Sequence, residues 1–407
     1  MPRALRCATR RYKRGRAIFT TILKAIGKTL WIALILALLA IVIVPHFLDR
    51  RYYDGAPGPH YDGDRFFNPD GDSDTIRMPT GGSRAGFFWK YLTGNDGRPV
   101  WPDHVTVQPS KPERRVMGER MVATWIGHAT VLVQTGGLNI LTDPVWSRTA
   151  GPFGFGPARV AEPGVRLTDL PKIDLILVSH NHYDHMDLKT LRALWDRDHP
   201  MILTSLGNDS VIGAAAVKAT ALDWGDRIKV RPNIEVVVTR NHHWSSRWFT
   251  DRNRALWSSF IVHLPGGNIF FAGDTGMGDG QWITEAARLG PIRLALIPIG
   301  AFRFVPGQMG IGSHIGPVDA VEVYRRLGAA HAIPIHWGTF RLSYEAWDTP
   351  PKMLAAAMKC TGQTGFAPAR IGQPVDVSAY APPAPVKPLS RAARLACLDT
   401  PAVRALR

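Results

Sequence analysis

The sequence predicts a mixed α/β (α+β) domain in which two β-sheets are covered by helices, preceded by one transmembrane helix. Three observations support this prediction. Short apolar runs of strand length outnumber the helical patterns between them. The chain has 407 residues, 45% of them hydrophobic, which is enough for a sizeable core. Residues 29–48 contain no Asp, Glu, Lys or Arg.

The amino-terminal residues 1–28 form a basic segment. Nine of the 49 Lys and Arg residues precede position 29, and no acidic residue does. The remaining chain has 40 basic and 33 acidic residues, an ordinary balance. More than half of the net charge of +16 therefore lies in this segment, and we expect no nucleic-acid partner.

Residues 29–48 have the length and composition of a transmembrane anchor. Because the basic residues lie on one flank, we expect the amino end to be cytoplasmic and the rest of the chain to lie on the far, periplasmic side. A cleaved signal peptide stays open as an alternative, although the run ends without a small-residue cleavage pattern.

Residues 49–118 are rich in Asp, Gly, Pro and Arg, which predicts a linker or an irregular extension over the domain. The aromatic runs 65–69 and 87–89 indicate that part of it packs. The globular domain is predicted at 119–380, and the Pro/Ala/Arg-rich tail 381–407 is expected to be loose.

Within the domain, apolar runs and turn signals predict the following elements in order. Strands are expected at 121–125, 129–134, 138–142, 173–178, 201–205, 234–239, 258–263, 268–272, 294–299 and 331–335. Helices are expected at 187–195, 318–327 and 351–360.

The segment 179–187 carries the strongest functional signal, with His180, His182, Asp184 and His185 in the order H-x-H-x-D-H. It follows a buried strand and precedes a helix, and open α/β sheets place their chemistry at such strand ends. Imidazole and carboxylate donors at this spacing predict a metal site. His180 and His182 can close on one ion, and the adjacent pair after the turn would address a second position.

Four donors are too few for two ions, so further ligands must come from later in the chain. Three later apolar strands end in such residues: the pair His242 and His243, then Asp274, then His336. They would supply two histidines and one carboxylate able to bridge two ions.

These motifs resemble the metallo-β-lactamase superfamily and, within it, the phospholipases D that hydrolyse N-acylphosphatidylethanolamine. The resembling segments lie at 125–134, 141–147, 179–187, 221–224, 242–247, 270–276, 297–301 and 335–340. The resemblance implies a four-layer αββα sandwich and two bound Zn²⁺, with other divalent metals left open.

The resemblance also implies roles for individual residues. The first zinc would be held by His180, His182 and His243, and the second by Asp184, His185 and His336, with Asp274 bridging. Of the neighbouring His242 and His243, His243 is the implied ligand because it directly precedes Trp244 and so matches the H-W pair of the family. Asp184, Asp274 and His314 are implied in catalysis.

Three further polar residues have less direct roles. His314 either polarises the leaving group or caps the following helix, and both interpretations stay open. His128 lies in a family motif without being a ligand, which favours a structural, hydrogen-bonded histidine. Asp143 is interpreted as a group behind the ligands or a turn-former.

The predicted function is a membrane-anchored zinc-dependent hydrolase, a phosphodiesterase of phospholipase D type that releases N-acylethanolamine and phosphatidic acid. A lactonase or other ester hydrolase on the same site is the first alternative, and a metal-binding membrane scaffold without activity is the second. The expected partners are a phospholipid or small ester substrate and the membrane, and a homodimer is left open.

The chain has three cysteines, Cys7, Cys360 and Cys397. The last two would share the far side of the membrane, where they either pair or remain two lone thiols. No C-x-x-C motif occurs, so cysteine is not a predicted metal ligand.

Overall fold

The structure, a computed structural model, describes residues 3–71, 97–248, 250–303 and 312–406. The chain divides into two units, of which one is essentially helix α1 (Arg3–Leu48) and the other contains residues 51–247 and 252 onward. The aromatic run predicted to pack at 87–89 lies outside the described residues.

Helix α1 is longer than the predicted anchor, because the basic residues before position 29 continue the same helix. Within it, Ile18–Leu48 is long and apolar enough to cross a membrane, judged by length and composition. The predicted span 29–48 is therefore the carboxyl-terminal part of a longer apolar helix.

The described residues of the globular unit form two sheets. Their strands are β1 (Met121–Gly127), β2 (Thr130–Thr135), β3 (Leu138–Thr142), β4 (Leu175–Val178), β5 (Met201–Ser205), β6 (Thr220–Leu222), β7 (Arg227–Arg231), β8 (Ile234–Thr239), β9 (Ser259–His263), β10 (Asn268–Phe271), β11 (Ile292–Pro298), β12 (His331–Ile335) and β13 (Pro374–Val377).

Helices cover the sheets. In chain order they are α2 (Leu188–Asp198), α3 (Asn208–Gly213), α4 (Gln281–Ala287), α5 (Pro317–Leu327), α6 (Thr349–Thr361), α7 (Arg391–Leu398) and α8 (Pro401–Arg404).

The first sheet has the strand order β13-β1-β2-β3-β4-β5-β6, and the second has the order β12-β11-β10-β9-β8-β7. In the first sheet pairing is antiparallel from β13 to β3 and parallel from β3 to β6. In the second it is antiparallel from β7 to β10 and parallel from β10 to β12. Parallel neighbours need crossover connections, and helices α2, α3, α4 and α5 lie in four of the five.

Neighbouring side chains of a strand point to opposite faces of its sheet, so each sheet packs against the other sheet on one face and against helices on the other. In β4, Leu177 faces the core shared by the two sheets, whereas Ile176 packs against α2 and α3. In β8, Val236 faces the shared core and Val237 packs against the helices of the second sheet. Because both faces of each sheet are buried, the predicted αββα sandwich is confirmed.

The carboxyl-terminal residues differ from the expectation of a loose tail. They form α7 and α8, and Leu398 lies in the core on the outer face of the second sheet. Cys360 and Cys397 form a disulfide that joins α6 to α7. The composition of the segment concealed this packing, since only a few apolar residues face inward.

The described residues of the extension, 49–71 and 97–118, are irregular, and part of them packs on the domain. Tyr61 and Phe66 are buried with Leu256 and Trp257 in a small apolar cluster. This packing brings residues 60–71 next to the functional residues described below.

Candidate metal centre

The predicted site residues converge at one edge of the sandwich. Strands β3, β4, β8, β10 and β12 all end there, and each is followed by a histidine or aspartate of the site. Parallel strands bring their carboxyl ends to the same edge, so residues far apart in sequence meet in space.

The first donor set is formed by His180, His182 and His243. His180 Nε2 lies 2.7 Å from His182 Nδ1, and His243 Nε2 lies 3.4 Å from that same atom. Three imidazole nitrogens thus face one point, the arrangement that a divalent ion needs from histidine ligands.

The second donor set is formed by Asp184, His185 and His336. Asp184 Oδ2 lies 3.4 Å from Nε2 of both histidines. His128 joins this group, because its Nε2 lies 2.9 Å from the same carboxylate oxygen. His128 thus hydrogen-bonds to Asp184, and its structural role stays a prediction.

Asp274 lies between the two sets. Its Oδ2 atom is 3.0 Å from His185 Nε2 and 2.9 Å from His336 Nε2. The same oxygen is 3.9 Å from His243 Nε2 in the first set and 3.7 Å from His314 Nδ1. One carboxylate oxygen therefore faces both donor sets.

Asp143 holds the histidines from behind. Its Oδ2 accepts hydrogen bonds from His185 Nδ1 and from the Ser179 hydroxyl, both at 2.6 Å. The Ser179 hydroxyl in turn lies 2.9 Å from His180 Nδ1. These contacts fix the proton of each ring on Nδ1 and leave Nε2 free to bind a metal.

The loop that carries the motif is held at both ends. Asp187 caps α2 by accepting from the backbone N–H groups of Lys189 and Thr190. Arg247 donates to the carbonyl oxygens of Asn181, which lies between His180 and His182, and of Met186, which follows the last donor of the motif. The donors therefore stand on a rigid loop, as precise metal geometry requires.

The extension contributes contacts that the sequence reasoning did not find. Asn68 Nδ2 donates to the carbonyl of His243 at 2.8 Å, and its Oδ1 accepts from the backbone N–H of His243 at 3.3 Å. Asp70 lies 3.0 Å from His242 Nδ1. The neighbouring histidines therefore face different groups: His243 belongs to the first donor set, whereas His242 faces the extension.

His314 borders the centre and is nearly buried. Its ring centroid lies 5.1 Å from that of His243 and 5.3 Å from that of His336. Helix α5 begins after Gly316, which is its N-cap residue. His314 is therefore not the N-cap residue of α5, and a role in catalysis stays a prediction for it.

Burial sets the ionisation of the first donor set. It lowers the pKa of His182 to about 3 and holds those of His180 and His243 well below the usual value. Burial likewise lowers the pKa of His128 to about 3 and that of His314 to about 4. These rings are neutral near pH 7, as ligands must be.

The second donor set behaves differently because two carboxylates face it. Burial opposes the charge on His336, but Asp274 and Asp184 outweigh burial and raise its pKa to about 9. The same carboxylates raise the pKa of His185 well above its usual value against the effect of burial. Burial also opposes the charge of Asp274, yet both histidines hold its pKa well below the usual range.

The residues fit a pair of divalent ions. Within the described residues, Oδ1 of the buried Asp274 carboxylate accepts no hydrogen bond, and Oδ2 lies among the imidazole nitrogens of both donor sets. Buried polar atoms without partners are costly, and cations between the two sets would satisfy them. The donors are nitrogen and oxygen atoms, which suit zinc and related metals.

Comparison with known proteins agrees with this geometry. A profile described as "Beta-lactamase superfamily domain" matches residues 138–337. The N-acyl-phosphatidylethanolamine-hydrolyzing phospholipase D 1 of Caenorhabditis elegans is 35% identical over 57% of this chain and 68% of its own length. The chain belongs to the β-lactamase superfamily. Membership and the clustered donors identify its domain as that of a metal-dependent hydrolase, which leaves the inactive scaffold without support.

Two further comparisons set the extent of the similarity. An uncharacterized protein of Mycobacterium tuberculosis is 35% identical over 58% of this chain and 64% of its own length, so the chain spans just under two thirds of that relative. The structure of a possible metal-dependent hydrolase from Veillonella parvula superposes with a TM-score of 0.51 over 63% of this chain and 99% of that chain, at 14% identity. This last similarity concerns the fold alone.

Proposed function

We propose that the superfamily member is a membrane-anchored, zinc-dependent phosphodiesterase that hydrolyses N-acylphosphatidylethanolamine to phosphatidic acid and an N-acylethanolamine. The observation that carries the hydrolytic part is the Asp274 carboxylate facing two complete donor sets. The similarity to the phospholipase D of Caenorhabditis elegans supports the choice of substrate.

In this proposal the first zinc is held by His180, His182 and His243, and the second by Asp184, His185 and His336. Asp274 would contact both ions. When bound, such ions polarise a phosphoryl oxygen and make water a competent nucleophile at neutral pH.

The protein's own residues would do the rest. Asp143 and Ser179 accept from Nδ1 of His185 and His180, so that Nε2 is the nitrogen of each ring that a metal would bind. His314 stands beside the shared carboxylate, where its imidazole can hydrogen-bond to a substrate oxygen. The His128–Asp184 hydrogen bond fixes the orientation of that carboxylate.

The proposed location is a membrane with the amino end in the cytoplasm and the domain on the far side. The apolar span of α1 and the basic segment before it support this orientation. The disulfide between Cys360 and Cys397 also supports it, because disulfides persist in oxidising compartments such as the periplasm. A lipid substrate is within reach of an enzyme anchored in this way.

The test is hydrolysis of N-acylphosphatidylethanolamine in detergent micelles by the full chain loaded with zinc, followed by mass spectrometry. We expect both products from the native protein and none from Asp274→Asn or His336→Ala. His331→Ala is the matched control, because His331 begins the same strand that His336 follows and lies away from the donors. We expect this control to retain turnover.

The outcomes separate the parts of the proposal. Two zinc ions per chain without turnover would overturn the lipid assignment and leave the metal centre, so that lactones and other esters would become the substrates to test. Full activity in His336→Ala would refute the assignment of the second donor set.

A further inference from the structure

The loop after Asp143 displays two exposed phenylalanines at its tip. The sequence Gly151–Pro157 reads G-P-F-G-F-G-P, and the exposed fractions are 85% for Phe153 and 74% for Phe155. Outside α1, the described residues include two other large apolar side chains with such exposure, Val100 and Met117. Adjacent exposed apolar side chains mark interaction surfaces.

The tip stands on a short hydrogen-bonded stem. Thr149 and Ala158 form a β-bridge, and Ala150 N–H donates to the carbonyl of Pro157 at 3.0 Å. At the top, Phe155 N–H donates to the carbonyl of Pro152 at 2.9 Å. The two phenylalanines are therefore presented by a defined turn.

The glycines of the tip permit this turn. A Cβ on Gly151 would lie 2.1 Å from the carbonyl oxygen of Phe155, and one on Gly156 would lie 2.5 Å from that of Ala150. Phe153 itself has a φ of 54°, a left-handed conformation that bulky side chains rarely adopt. Disfavoured conformations of this kind concentrate at functional segments.

The base of the stem contacts the wall of the metal centre. The Arg159 guanidinium lies 5.1 Å from the centroid of the Phe340 ring, whose centroid is 5.2 Å from that of His128. Arg159 Nη2 also donates to the carbonyl of Val145, two residues after Asp143. The tip thus belongs to the edge of the domain that holds the donor sets.

We infer that the tip is a membrane-docking element: Phe153 and Phe155 insert into the interfacial layer of a lipid bilayer beside the metal centre. Arg148 is exposed at the stem, where a cation can meet anionic headgroups. The inference rests on the proposed anchoring in a membrane and does not depend on the proposed substrate.

The size of the surface favours a bilayer over a second protein copy. Two phenylalanine side chains offer about 150–250 Å² each. A stable protein interface buries about 800 Å² per partner, so the pair is too small to hold one. A reversible contact with lipid needs less area, because α1 already keeps the domain close to a bilayer in the proposed arrangement.

The experiment uses the full chain in vesicles of phosphatidylcholine and phosphatidylglycerol. Cys7→Ser leaves no cysteine besides the disulfide-bonded Cys360 and Cys397, and Phe155→Cys then receives an environment-sensitive fluorophore. Met117→Cys is the matched control, since Met117 is apolar, 70% exposed and next to the Gly136–Gly137 turn at the opposite end of β3 from Asp143. We expect spin-labelled lipid to quench the fluorescence of the label at position 155 at least roughly twofold more strongly than that of the label at position 117.

Equal quenching at the two positions would overturn the inference. So would crosslinking of Phe155→Cys to a second copy together with a lack of quenching, which would assign the tip to a homodimer. In a second measurement, Phe153→Ser with Phe155→Ser should raise KM for substrate in vesicles roughly tenfold and leave zinc content and turnover of a short-chain soluble substrate unchanged.

These measurements keep the two proposals apart. Quenching at 155 in a protein that does not hydrolyse the lipid would retain the docking element and reject the substrate. Lipid hydrolysis with no difference between 155 and 117 would retain the phospholipase and reject the docking element.

Discussion

Replacement of Asp143 by asparagine tests how the second donor set is kept ready for a metal. The Asp143 carboxylate is fully buried, and its Oδ2 accepts from both His185 Nδ1 and the Ser179 hydroxyl. Its Oδ1 accepts from the backbone N–H of Ser179 at 2.7 Å. An amide nitrogen in place of Oδ2 would meet two donors, although the Ser179 hydroxyl can rotate and accept.

The His185 ring can adapt only by moving its proton from Nδ1 to Nε2, which removes the lone pair that would bind the metal. Keeping the competent tautomer instead forfeits a hydrogen bond to a charged acceptor, a contribution of about 1.5–3 kcal/mol. Since 1.4 kcal/mol corresponds to tenfold in affinity, metal binding at this position should weaken by about 10- to 100-fold.

The assay is competition with a zinc chelator, read together with the metal content of the purified protein. We expect Asp143→Asn to keep an ion at the first donor set and to lose the second under chelator. Asp174→Asn is the control: Asp174 directly precedes β4 and accepts from the Asn139 backbone N–H, away from the centre. If Asp143→Asn bound two ions with native affinity, the argument from the tautomer would be wrong.

Three further predictions follow from the same structure. Asn68→Ala removes the side chain that hydrogen-bonds to the backbone N–H and C=O of His243, so zinc affinity at the first donor set should fall roughly tenfold in chelator competition. Asn68→Asp should be intermediate because it keeps the acceptor for the His243 N–H. Because His336 has a pKa of about 9 without metal, zinc binding near pH 7 should release a proton, which calorimetry in buffers of different ionisation enthalpy would detect. The zinc affinity should also rise as the pH is raised toward 9. The sign for stability is opposite: the protonated ring stabilises the metal-free protein below about pH 6.5, and that contribution is lost as the pH rises through 9, so thermal unfolding should occur at lower temperature at pH 9.5 than at pH 6.5. Cys397→Ser opens a disulfide that spans 37 residues and should lower the free energy of unfolding by about 3–4 kcal/mol in denaturant titrations, with zinc content unchanged because neither Cys360 nor Cys397 lies near the donors.

The interior strands were predictable because burial on both faces makes them apolar throughout. The strands that sequence reasoning missed are β6, β7 and β13, and each lies at a sheet edge. Strand β7 alternates between exposed and half-buried residues and contains Arg227, Lys229 and Arg231. Strand β13 begins with Pro374, which an edge tolerates. Charged and proline-containing edges limit unwanted pairing, and the same composition hides them from a search for apolar runs.

The metal centre was predictable to a large extent because its donors follow buried strands. The end of a buried strand fixes the position of the next residue, so a histidine or aspartate there has few other places in the fold to lie. The interactions behind the donors were less predictable. Asn68 and His243 are 175 residues apart, and their contact joins a side-chain amide to backbone groups. No periodicity or motif in the sequence therefore indicates it.

That contact changes how the extension is understood. A linker would separate helix α1 from the domain, but residues 60–70 form part of the shell around the donors. Asn68 holds the backbone of His243, Asp70 faces His242, and His60 Nε2 lies 2.7 Å from Asp223. A displacement of the extension would therefore reach the first donor set directly. Segment 60–70 is thus structurally part of the metal centre, although in sequence it lies nearer to helix α1 than to any ligand.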